Sequence, residues 1–255
     1  IFVAFPFNLP GGRFRCEGPL CVTDPVCDRL PGAFADRLTA QNWVAATGDG
    51  QTLIWSSQDA PVVSLARLWP GRVSPAHSAV VREDLVHPGQ TGEALTGGTI
   101  YSLLAANNFG TNFCVSQSGT LRFRYRMTTA AGALNDADAV RRGNEWVTPF
   151  SALFTKHPRP RRLSPMGGAL EIDPPTIRLL ALKRAEAGDG WILRLWNPGD
   201  QAESARVILK GGGVVMAQET DLAEIPKGLP IALQNDGFSL VLAPLSIRTV
   251  HLCVG

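Results

Sequence analysis

The stretch Leu121-Arg122-Phe123-Arg124-Tyr125-Arg126-Met127 decides the fold class. Leu121, Phe123, Tyr125 and Met127 alternate with Arg122, Arg124 and Arg126. Successive side chains of a strand point to opposite faces, so this period of two predicts a half-buried antiparallel strand over 121–127 with a guanidinium stripe on its open face. Short apolar runs at 1–7, 43–46, 52–56, 61–68 and 99–104 precede it, and others at 176–185, 191–197, 205–210, 238–242 and 247–252 follow. Gly, Pro, Asn and Asp stand between them, and Gly48-Asp49-Gly50 reads as a hairpin loop. Many short strands at regular spacing argue for an all-β, sandwich-type protein.

One stretch has a different period. AGALNDADAVRRGNEW (131–146) predicts a helix with Asn135 as N-cap and Asp136 and Asp138 in its first turn. Arg141 and Arg142 then lie near the C-terminus, with Gly143 as the stop; both ends complement the helix dipole. Further on, KHPRPRRLSPMGG (156–168) is too dense in Pro, Arg and Gly for a regular element and reads as a connector. Two domains result: a large β domain over 1–165 and a smaller β-sandwich over 166–255.

Composition narrows the partners. The chain has 255 residues, 45% hydrophobic and 18% charged, which supports a full core and excludes a disordered chain. A net charge of +2 gives no electrostatic footprint for nucleic acid, and the basic tract at 156–168 lacks the interleaved aromatics that stack bases. No apolar run approaches the ~20 residues that span a bilayer, so no membrane partner is expected. The opening IFVAFPFNLP reads as a strand already in progress, the pattern expected of a piece cut from a longer polypeptide. Of the five cysteines, Cys16, Cys21 and Cys27 cluster, while Cys114 and Cys253 lie in apolar contexts. Without a C-x2-C pair, zinc is weakly supported, and inert thiols in a reducing compartment are the plainer reading. A disulfide within the first cluster stays open.

Nucleotide loops, H-E-x-x-H and G-x-S-x-G are absent, and His77, His87, His157 and His251 are scattered. Glycoside hydrolysis needs two carboxylates, one usually with a raised pKa. Asp59, in SSQDAPVV, is the best candidate for a perturbed carboxylate; the competing reading is a turn cap before Pro61. The most polar segment inside apolar sequence is AANNFGTNF (105–113). Asn107, Asn108 and Asn112 place amides beside Phe109, the pairing with which sugar sites bind hydroxyls and stack on the ring face. The same amides also suit a strand end, where they satisfy buried backbone. Asn107, Asn108, Phe109, Asn112 and Asp59 are thus the carbohydrate-facing candidates.

Taken in order, these stretches resemble the C-terminal β region of glycoside hydrolase family 38, the α-mannosidases, in its bacterial form. The resemblance rests on FVAFPFNL at Phe2, LPGAFADRLTAQNWVAATGDG at Leu30 and WSSQDAPVV at Trp55. It continues through GGTIYSLLAANNFGTNFCVSQSGTLRFRYRMT at Gly97, ALKRAEAGDGWILRLWNPG at Ala181 and LVLAPLSIRTVHL at Leu240. Phe109 stands where the family often has Trp, and Lys183-Arg184-Ala185 replaces its Lys-Pro-Ser. The resemblance implies a large mutarotase-like β-supersandwich followed by a small β-sandwich. It also implies a partner, the N-terminal catalytic domain of the same polypeptide, which carries the nucleophile and the zinc. No catalytic residue and no metal ligand are expected in this chain, so it needs no cofactor of its own. The expected role is non-catalytic support of α-mannoside hydrolysis in the bacterial cytoplasm. A stand-alone carbohydrate-binding module is the alternative.

Overall fold

The computed structural model describes residues 1–30, 37–68, 95–106, 116–154, 156, 167–210, 213–235 and 237–255. These fall into two units, Ile1–Asn135 with Ala139–Pro149, and Asp136–Asp138 with Phe150–Gly255. The connector expected at 156–168 lies outside the described residues except at Lys156, Gly167 and Gly168.

The first unit holds two antiparallel sheets. One runs β1 (Phe2–Phe7), β8 (Gly98–Leu103), β7 (Val62–Leu65), β4 (Leu38–Thr39). The other runs β3 (Cys21–Thr23), β2 (Arg13–Gly18), β5 (Trp43–Gly48), β6 (Gln51–Ser57), β9 (Tyr125–Ala131). Alternation turns Phe14, Cys16, Val44, Ala46 and Trp55 of the second sheet toward Val63, Leu65 and Ile100 of the first, and these residues form the core. Phe5 and Tyr125 close one end: Phe5 meets Trp55 edge-on at 5.7 Å and Tyr125 at 5.0 Å. Each such ring pair adds about 0.5–1.5 kcal/mol beyond the area it buries. The Tyr125 hydroxyl lies 3.0 Å from the hydroxyl of fully buried Ser102, so the polar tip is satisfied inside the core.

The Gly48-Asp49-Gly50 hairpin forms as expected. Gly48 pairs with Gln51, and Asp49 and Gly50 have φ of 50° and 68°, as a two-residue primed turn requires. The alternating stretch differs from its reading. The strand begins at Tyr125, four residues later than expected, and runs to Ala131. The reason is the partner: β6 ends at Ser57, opposite Tyr125, so no described strand lies beside residues 121–124. Leu121 and Met127, expected inside, are about half exposed; Phe123 and Tyr125 are half-buried, and Arg122 and Arg124 face solvent.

The helix α1 (Asp136–Asn144) keeps the expected first turn, and the Ala139 amide donates to the Asn135 carbonyl. Gly143 is not its stop. The helix runs on to Asn144, and Gly143 lies against the Trp43 indole, where an added Cβ would sit 2.1 Å from a ring carbon. A helix this short is marginal alone, so packing on the sheet holds it.

The second unit is a β-sandwich. Its sheets run β10 (Leu170–Asp173), β13 (Glu203–Leu209), β16 (Gly237–Leu242), β15 (Leu233–Gln234), and β11 (Arg178–Arg184), β12 (Trp191–Trp196), β17 (Ile247–Val254), β14 (Val214–Thr220). Leu193, Leu195, Val250 and Leu252 from one sheet and Val207, Phe238 and Leu242 from the other are buried between them. Asn197, 1% exposed, directly follows β12. Its Nδ2 donates to the carbonyls of Gln201 at 2.7 Å and Ala243 at 3.1 Å, and its Oδ1 accepts from the Gly199 amide at 3.0 Å. One side chain thus fastens the turn after β12 to the end of β16.

Candidate functional site

The carbohydrate-facing candidates divide. Asn107, Asn108, Phe109 and Asn112 lie outside the described residues. Asp59 is described, at the corner where the chain leaves β6 for β7 in the facing sheet. Three consecutive residues build that corner. The Ser57 hydroxyl accepts from the Ala60 amide at 3.0 Å and caps the turn. The Gln58 side chain donates to the Trp146 carbonyl at 2.9 Å, tying the segment after α1 to the corner. Asp59 takes the backbone amide of Arg124 on Oδ2 at 2.8 Å and the guanidinium on both oxygens, at 3.1 and 2.8 Å.

That geometry fixes the charge of Asp59. The Arg124 side chain holds its carboxyl below the usual carboxylate range, with the Arg124 amide acting the same way. A glycosidase general acid needs the opposite, a carboxyl kept protonated toward neutrality. Asp59 is perturbed, as its setting suggested, but downward. It serves as an anchor, and the turn-cap role passes to Ser57.

A carboxylate that the sequence did not single out is more deeply placed. Glu17 lies on the face of β2 that α1 covers and is 4% exposed. Asn144 donates to its Oε1 at 3.1 Å, and Asn42 donates to the Asn144 Oδ1 at 3.3 Å. Oε2 finds no hydrogen-bond partner among the described residues. Burial pushes the Glu17 carboxyl up, and the Asn144 amide opposes the shift. In RFRCEG, the charges of Arg13, Arg15 and Glu17 hide both the strand and the burial of Glu17. Its partner on the helix packed over that face, Asn144, is 127 positions away.

Cys16, Cys21, Cys27 and Cys253 are free, and burial pushes the Cys16 thiol up to about 12, far from the thiolate that reacts. Among the described residues no group of three or more His, Cys, Asp or Glu is placed to hold a metal ion. The described residues therefore do not fit a zinc ion. His251, whose Nε2 lies 2.9 Å from the Asp189 carbonyl, is the one described histidine; 77, 87 and 157 lie outside. No described helix is long and apolar enough to cross a membrane.

Four antiparallel sheets in two units define a double β-sandwich protein. Residues 176–250 match the glycosyl hydrolases family 38 C-terminal beta sandwich domain, and the resemblance drawn from the sequence holds. The whole chain is similar in fold to an alpha-mannosidase from Enterococcus faecalis V583, with 15% identity, a TM-score of 0.56 and coverage of 98% of this chain and 25% of that one. It is also similar to a protein in glycosyl hydrolase family 38 from Enterococcus faecalis, with 15% identity, a TM-score of 0.58 and coverage of 98% and 26%. The chain thus spans about a quarter of the length of these structures. No curated protein matches it.

Proposed function

We propose that this chain is the C-terminal, non-catalytic β region of an α-mannosidase-like glycoside hydrolase, with 1–165 as its large domain and 166–255 as its small sandwich. Its work is to support the catalytic domain carried elsewhere in the same polypeptide during hydrolysis of α-mannosides. The observation that carries this reading is the family 38 sandwich at 176–250 within a fold likeness that extends over 98% of the chain. The nucleophile and the zinc belong to the catalytic domain, and the chain itself needs no cofactor. A reducing, cytoplasmic setting belongs to the same reading. Asn107, Asn108, Phe109 and Asn112 are the residues proposed to face carbohydrate, with Asp59 bracing the corner between β6 and β7.

Deleting this region from the encoded polypeptide tests the reading. The catalytic part without it should lose thermal stability and α-mannosidase activity, and adding the separate chain back should restore part of both. Full activity and an unchanged melting temperature without it would overturn the proposal. Calorimetric titration of the chain with mannose and manno-oligosaccharides should give no saturable binding at millimolar sugar. Saturable binding would favour a stand-alone carbohydrate-binding module instead.

A further inference from the structure

Three polar contacts fasten one end of α1 to the sheet beneath it. The side chain of Asn144, the last residue of the helix, donates to Glu17 Oε1 of β2 at 3.1 Å. The Ser56 hydroxyl of β6 donates to the Gly143 carbonyl at 3.3 Å, and the Gln58 side chain donates to the Trp146 carbonyl at 2.9 Å. Two of these contacts are neutral on both sides. The third is made by a buried carboxyl, so its strength depends on whether that group carries charge.

The surroundings of Glu17 disfavour the charge. The carbonyl end of a helix carries roughly half a negative charge, which attracts cations and repels an anion. An ionised Glu17 beside Asn144 therefore meets the wrong pole of α1. It does so away from water, with Oε2 lacking a hydrogen-bond partner among the described residues. No cation offsets it. Arg13 and Arg15 share its face of β2, Arg126 of β9 lies on the same face of the sheet, and Arg141 and Arg142 belong to the helix. Among the described residues none of these forms an ion pair with Glu17, and Arg141 is taken by Glu145 at 2.9 Å. β3 sets Val22 opposite Glu17, and β5 and β6 contain no charged residue. Asp136 and Asp138 stand at the other end of α1.

We propose that Glu17 is a proton-operated latch on the C-terminal end of α1: protonated, it holds Asn144 and the last turn to β2, and ionised, it lets residues 143–148 detach and fray while the rest of the first unit stays folded. The earlier part of the helix stays in place because Ala139 and Val140 are buried by apolar packing that no titration touches. The Gln58–Trp146 link opens in the same step, which leaves the corner between β6 and β7 to the Ser57 cap and the Asp59–Arg124 pair.

Amide exchange of the 255-residue chain, read residue by residue and divided by the intrinsic rate at each pH, tests the latch. The reporters are the amides of Glu145, Val147 and Thr148, which donate to the carbonyls of Arg141 and Asn144. Opening returns Glu17 to its ordinary value of 4.5 from a raised one, so protection of these amides should be greatest below pH 4.5. Above it, protection should fall by about tenfold per pH unit and level off once the closed form has ionised. Glu17→Gln keeps an acceptor for Asn144 and cannot ionise, so its protection should stay constant with pH. The carboxyl carbon-13 shift of Glu17 in the wild type should titrate above 4.5, a readout that needs no variant. Constant protection in the wild type, an equal fall in Glu17→Gln, or a carboxyl midpoint at 4.5 would each overturn the latch. A fall shared by the amides of Val44 and Trp55 in the sheet core would mean that the whole unit opens, and would overturn it as well.

Discussion

Arg124 closes on Asp59 with its backbone amide and both arms of its guanidinium fork, at 2.8, 3.1 and 2.8 Å. The pair joins the residue just before β9 to the corner that carries the chain from one sheet to the other. The Gln58 amide adds a fourth link, donating to the Arg124 carbonyl at 3.2 Å. Planar, two-point pairing of this kind adds direction as well as energy.

The Asp59–Arg124 pair predicts an acid-dependent stability. Asp59 has a folded-state pKa below its ordinary 3.8, so its contribution is fully present above that value and is lost as pH falls through the lowered one. Melting temperatures of the wild type and Asp59→Asn should therefore differ most at neutral pH and converge well below pH 3.8. The gap should be modest and shrink in high salt, because the Arg124 side chain is 55% exposed. A gap that widened in acid would contradict the assignment.

Glu17 predicts the opposite slope. Burial raises its folded-state pKa above the ordinary 4.5, so its protonated form suits the fold and stability falls as pH climbs from 4.5 through the raised value. Thermal melts of the wild type and Glu17→Gln should show the variant gaining on the wild type across that interval. Glu17→Ala leaves the Asn144 amide without its acceptor and should cost about 1–3 kcal/mol. A constant difference between wild type and Glu17→Gln at every pH would show that the carboxyl does not titrate in the fold.

Gly143→Ala sets two effects against each other. Helix propensity favours Ala by roughly 1 kcal/mol. Against it stands the Trp43 indole, 2.1 Å from the new carbon and itself fully buried. Overpacking of this kind costs about 1–3 kcal/mol, so the variant should be destabilised on balance. Chemical denaturation reads the sign directly, and a stabilised variant would mean that Trp43 moves freely.

Asn197→Ala should destabilise the second unit by about 1–3 kcal/mol, because the Gln201 and Ala243 carbonyls lose their donor. The loss should be seen in proteolysis of the second unit, with the first unit cleaved no faster. Equal sensitivity in both units would contradict a local role.

Local chemistry was legible wherever neighbours in sequence supply it. Gly48-Asp49-Gly50 gave its hairpin, and Asn135, Asp136 and Asp138 gave the start of α1. The runs at 43–46 and 52–56 became β5 and β6. Features set at long range were not. The ladder beside Leu121–Arg124 stops because β6 ends at Ser57, which no alternation in LRFRYRM reveals. β2 went unread because Arg13, Arg15 and Glu17 make it look like a solvated loop, although α1 covers Glu17. Gly143 read as a helix stop because the residue that demands a glycine there, Trp43, lies 100 positions upstream. Of the candidate site, the unusual setting of Asp59 was legible, but the direction of its shift depends on Arg124, 65 positions away.

The role proposed for this chain is to support α-mannoside hydrolysis without performing it. Release of aryl alcohol from an aryl α-mannoside, with zinc supplied, measures this directly. The account predicts no release by the purified 255-residue chain and zinc-dependent release by the full encoded polypeptide. Zinc-dependent turnover by the chain alone, or a full polypeptide that releases nothing, would contradict it.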